Sequence, residues 1–116
     1  MEPQVIRTPM TREEVLAAVR SGFGDMAKVV VDVRRKMLAL GGSLHADGEA
    51  LLLDDGSKQE DLWGANVYPD QPPERQLEYT ALINIRPRQE NRTMEIQDPT
   101  VQKAVAEIVR SLLPLP

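Results

Sequence analysis

The chain has no cysteine, one histidine, and only one Trp, two Tyr and one Phe among its 116 residues. Each shortage removes a class of function. Without cysteine there is no disulfide framework, no thiol nucleophile and no Cys-ligated zinc, which fits a reducing cytoplasm. With so few aromatics the core must be largely Val, Leu, Ile and Met, and a platform that stacks several bases is excluded. No apolar run approaches the roughly 18 residues of a membrane span, and the N-terminus lacks the apolar stretch of a signal peptide. The expectation is a soluble cytoplasmic protein with no membrane partner. A formal net charge of −4 gives no positive field to attract a phosphate backbone, so nucleic acid is an unlikely partner.

What is present is one domain's worth of chain, long enough to bury a core without metals or disulfides. Residues 1–116 read as a single unit, with no repeat, low-complexity tract or linker. Val5 and Ile6 suggest an edge strand. Thr11 with Glu14 forms a capping box that opens a helix, and Gly22 and Gly24 close it. Met26, Val30, Val33, Met37 and Leu40 recur at helical spacing ahead of Gly41-Gly42, which predicts a helix over Asp25 to Leu40 despite its β-branched content. Asp47-Gly48 supplies the positive φ angles of a tight turn, predicting a hairpin that pairs His45 with Ala50 and puts Leu44, Leu51 and Leu53 on the core face.

Further along, Ser57 and Glu60 predict a short capped helical turn over Lys58 to Leu62, stopped by Gly64. Ala65 to Tyr68 and Leu77 to Arg86 read as strands, the second with Tyr79, Ala81, Ile83 and Ile85 on one face. Asp98 followed by Pro99 is an N-cap with proline in the first turn, leading the apolar stripe Val101, Ala104, Val105, Ile108 and Leu112. The predicted fold is α+β: a mostly antiparallel four- or five-stranded sheet with three main helices, in the order β-α-α-β-β-(short helix)-β-β-α, the helices on one face.

Polar residues concentrate at 41–69 and 83–98. Arg86, Arg88 and Arg92, with Asn84, Asn66 and Trp63 nearby, are the candidate ligand-binding set. Guanidinium groups pair hydrogen bonds with carboxylate or phosphate, so the expected ligand is an anionic small molecule held by a non-enzymatic binding or interaction module. The competing reading is structural: residues 47–61 hold six acidic groups and one Lys, which could pair with the arginines. Trp63 either closes the core or anchors a partner.

His45 is the one candidate for proton transfer, in an enzyme acting on a phosphorylated or carboxylated small molecule, with the arginines stabilising developing charge. That requires His45 and Arg86 to share a cleft. His45, Asp47 and Glu49 alternate, but one imidazole is too few nitrogen ligands for a transition metal, so no metal and no cofactor is expected. A second, partly apolar sheet face carrying His45, Ala50, Leu52, Thr80 and Leu82 suggests a homodimer.

The strings LHADGEALLLDDGSKQEDLWGANVYP and INIRPRQENRTMEIQDP resemble those of a family of small prokaryotic proteins built on a domain of unknown function, with similar wording from Gly24 to Leu112. The resemblance implies one compact α+β domain. It brings no activity, cofactor or catalytic residue.

Overall fold

The N-terminal segment begins with a short edge strand, β1 (Gln4–Ile6), as the Val5-Ile6 pair suggests. The structure, a computed structural model, describes residues 2–116. Helix α1 (Arg12–Ser21) starts as the sequence predicts: the Thr11 hydroxyl accepts from the Glu14 N–H, and the Glu14 carboxylate accepts from the Thr11 N–H. That second bond also holds the Glu14 pKa below its ordinary value. Helix α3 (Pro99–Leu112) opens on Asp98, whose carboxylate accepts from the Thr100 N–H.

Between these helices two elements exchange identity relative to expectation. Residues 25–40 form strands β2 (Ala27–Asp32) and β3 (Met37–Leu40), not a helix. Both strands lie inside the sheet and are covered on both faces, so nearly every residue is apolar and the alternation that marks a half-exposed strand is missing. The hairpin loop between them is set by Asp32. Its Oδ1 accepts from the N–H groups of Arg34 and Arg35, and Lys36 takes a left-handed conformation at φ 56°.

The predicted hairpin at 43–52 is instead helix α2 (His45–Asp54). Asp47, the expected turn residue, caps the Leu44 N–H. Gly48 is where the helix presses on the sheet: a Cβ there would lie 3.1 Å from Val30 Cγ2 and 3.3 Å from Ala39 Cβ. The glycine serves close packing, not a positive φ. Core and surface leucines are accordingly reversed, with Leu52 fully buried and Leu44 and Leu53 exposed.

A one-turn 3₁₀ helix (Gln59–Asp61) follows, without the expected Ser57 cap; the Ser57 hydroxyl donates to Asp32 Oδ2 at 2.6 Å. Strand β4 (Leu62–Val67) runs straight through Gly64. The predicted long strand 77–86 is only β5 (Leu77–Glu78), and the chain then continues through a Thr80–Glu95 bridge and 3₁₀ turns.

The result is an α+β fold with three main helices and a five-stranded antiparallel sheet, ordered β1-β3-β2-β4-β5. The helices cover both faces, not one. Val29, Val31, Leu38, Leu40, Trp63 and Ala65 meet α1 and α3, while Val30, Met37, Ala39 and Leu62 meet α2. Asp55 at the end of α2 accepts from Arg7 and Arg35, tying α2 to both hairpin loop and β1. No helix among the described residues is long and apolar enough to cross a membrane.

Candidate functional site

The outer edge of β4 explains most of the polar run. On the side of β4 away from β2, no strand among the described residues continues beyond the two residues of β5, and side chains take its place. Asn84 Oδ1 accepts from the Gly64 N–H at 2.8 Å and Asn84 Nδ2 donates to the Gly64 carbonyl at 3.0 Å, so the carboxamide acts as a peptide group. One step along, the Arg86 guanidinium donates to the carbonyls of Leu62 and Gln59. Its Cζ lies 4.1 Å from the Trp63 ring centroid. Asn91 closes the loop that presents both, donating to the Asn84 carbonyl at 2.8 Å and accepting from the Gln97 N–H. Asn84 and Asn91 are buried and matched, as buried polar groups must be, whereas Arg86 is half-buried and its Nε is left without a partner among the described residues.

The candidate residues therefore separate. Asn84 and Arg86 hold the sheet edge. Burial pushes the Arg86 pKa down, with Glu49 opposing that by charge. Trp63 is 5% exposed, part of the core under Arg86. Arg88 and Arg92 are exposed, and neither guanidinium has a hydrogen-bond or ion-pair partner among the described residues; the Arg92 backbone N–H donates to Gln97 Oε1. Of the three arginines only Arg86 meets the acidic segment, through the Gln59 backbone carbonyl; the ion pairs there are Arg7–Asp55 and Arg35–Asp55.

Asn66 and His45 come together elsewhere. Asn66 on β4 stands opposite Lys28 on β2, on the sheet face that α2 covers. His45 opens α2 above them, and its approach depends on Gly64, where a Cβ would lie 3.1 Å from the imidazole Cδ2 and 2.5 Å from Ala81 Cβ. Around them lies a half-open cavity of about 280 Å³, bordered by Leu44 just before α2 and by Leu82 and Met94 from the 79–98 loop. Arg86 does not line it. Leu44, Leu82 and Met94 are 61%, 70% and 40% exposed, a rim of apolar side chains in water.

The polar chemistry of the cavity follows from its hydrogen bonds. Nε2 of His45 lies 2.9 Å from the Ala65 carbonyl, which only accepts, so Nε2 carries the proton and the neutral ring has its lone pair on Nδ1. Burial pushes the His45 pKa down, and the positive charge of Lys28 adds to that; the Ala65 carbonyl, the Asn66 carboxamide and the Glu78 charge oppose it. Asn66 Nδ2 donates to Glu78 Oε1 at 2.8 Å and to the Thr80 carbonyl at 3.3 Å. Both partners are acceptors, so the carboxamide cannot be flipped, and its Oδ1 is buried without a partner among the described residues.

The sequence reading paired Asn66 with the arginines and missed Lys28, Leu44, Leu82 and Met94. Their convergence depends on α2 being a helix. No group of three or more His, Asp or Glu residues able to hold a metal ion occurs among the described residues.

Fold and site define a small α+β domain with helices on both faces of its sheet and a half-open cavity at the start of α2. The chain belongs to the family described as Protein of unknown function (DUF5674), which matches residues 4–112. No curated protein and no solved structure matches it.

Proposed function

We propose that this protein is a binding module whose ligand is a small molecule seated between His45, Asn66 and the Leu44–Leu82–Met94 rim. The observation that carries the reading is the rim of Leu44, Leu82 and Met94, exposed apolar side chains around a cavity whose lining also includes His45, Asn66 and Lys28. A bound molecule would cover apolar surface that otherwise faces water. This moves the ligand away from the arginine surface, because the Arg86 guanidinium is already engaged by carbonyls. His45 then serves as a hydrogen-bonding wall and not as a proton-transfer group. The cysteine-free composition supports a cytoplasmic setting.

Solvent mapping tests the proposal. Isopropanol and phenol titrated into ¹⁵N-labelled protein should shift the amides of residues 44–46, 66 and 80–83 together. Leu82→Asp, at a side chain that is 70% exposed, should abolish those shifts while leaving the melting temperature within a degree or two. Probe shifts scattered over the surface, or unchanged by Leu82→Asp, would overturn the assignment of the site.

A further inference from the structure

We infer that the ligand is an amphipathic monoanion, an apolar body bearing one carboxylate, and that Lys28 holds its head. The inference rests on the cavity being the binding site and adds the ligand's chemical class.

Lys28 stands in the wall shared by two hollows. On one side is the cavity of about 280 Å³ bordered by Leu44, Leu82 and Met94. On the other is a cleft of about 120 Å³, bounded by Phe23, Ala27 and the turn at Gly41, Gly42 and Ser43. The Gly41 N–H donates to the Lys28 carbonyl at 2.9 Å, which fixes that turn beside the lysine. The Lys28 ammonium lies 5.6 Å from the Phe23 ring centroid, so the charge sits towards the cleft. Ser43 and Leu44, consecutive and both exposed, belong one to each hollow. A chain lying in the cavity therefore has its end directed past Leu44 to the lysine.

Nothing in the protein uses this charge. Lys28 is the only charged residue lining either hollow, and the ammonium donates to no acceptor among the described residues. The ion pairs found there both belong to Asp55. Glu78 lies in the same cross-strand row but beyond Asn66, two strand spacings or roughly 10 Å away. Its Oε1 accepts from Asn66 and Tyr68. Asp47 accepts from the Leu44 N–H and lines neither hollow. The Gly42 and Ser43 N–H groups also donate to no protein acceptor among the described residues, so further donors stand near the ammonium.

A carboxylate at this point makes a charge-assisted hydrogen bond that a neutral head cannot match. One cation balances one negative charge, and a dianionic head would carry its second charge uncompensated against apolar walls. The cavity is larger than the roughly 150 Å³ that accommodates benzene, which gives room for a chain of about eight carbons.

The test uses octanoate, 1-octanol and octylamine, which share one chain and differ in the head. Titrated into the intact ¹⁵N-labelled protein, octanoate should shift the amides of residues 42–46 and 80–83. It should bind about tenfold more tightly than octanol, the worth of one hydrogen bond to a charged group, and octylamine should bind most weakly. Lys28→Gln should reduce octanoate to the affinity of octanol and leave octanol unchanged, while Lys28→Arg should keep the preference. Octanoate and octanol binding equally in the cavity of the parent protein would overturn the charge inference and leave the binding site standing. A preference for octanoate that survives Lys28→Gln would overturn the assignment of the head to Lys28. Failure of all three probes to shift these residues at millimolar concentration would remove the site itself, and the inference with it.

Discussion

Asn84 carries on a short stem the same N–H and C=O pair that a neighbouring strand would offer, and it sits where that strand is missing. Arg86 continues the substitution with a fork of donors over the next carbonyls. Truncating Asn84 orphans the buried N–H and carbonyl of Gly64, and truncating Arg86 uncovers the part-buried Leu62 carbonyl, while the Gln59 carbonyl is in water's reach. Asn84→Ala should cost about 2–4 kcal/mol, and Arg86→Ala about 1–3 kcal/mol through the lost carbonyl bonds and the lost cover over Trp63. Arg88→Ala, at an exposed residue two positions on, should change stability by less than about 0.5 kcal/mol. Urea unfolding of the three variants decides the matter: equal small effects would mean that the fold does not need this edge, and would free Arg86 for a ligand.

At the level of elements, legibility tracked how local the determining interactions are. The capping box of α1 and the Asp98-Pro99 start of α3 are written within four residues, and both helices form where they were expected. The exchange between 25–40 and 43–54 arose because burial there is decided by partners far away in sequence. Val30 is apolar because α2 covers it, so β2 carries no alternation; Gly48 is small because Val30 and Ala39 lie against it, so an Asp-Gly pair looks like a turn. The total of three helices and a five-stranded sheet survived the exchange, and the pairing of faces did not. For the site, His45 and Asn66 stood out as polar residues, whereas the rim residues look like ordinary core apolar positions. Gly64 is the junction of both problems. Gly64→Ala should destabilise by about 1–3 kcal/mol or more, since the added methyl overlaps Ala81 and crowds His45 and Ile83. A melting temperature equal to that of the parent would show that the 79–98 loop can move off β4 easily, and that the cavity is looser than described.

For the whole molecule, pH reports how these parts are joined. The His45 pKa is lowered by burial, so the unfolded chain takes up its proton before the folded one does. Stability from this residue is therefore fully present above the unfolded value of about 6.5 and declines as pH falls from there towards the depressed folded value. At lower pH a second decline follows. Asp55, held far below the usual carboxylate range by hydrogen bonds to Arg7 and Arg35, stays ionised while the unfolded chain's copy protonates. Chemical denaturation from pH 8 to 5 should show the first decline, and His45→Gln should flatten it relative to the parent; an unchanged slope in that variant would mean that His45 is not the titrating group. The boundaries of the sheet have a separate effect on how copies of the chain behave together. β1 offers a neighbour only three residues, about 10 Å of ladder, β5 offers two, and the rest of the β4 margin is already filled by Asn84 and Arg86. A strand from another molecule finds no long row of open amides to template on, so the chain can be crowded without polymerising edge to edge.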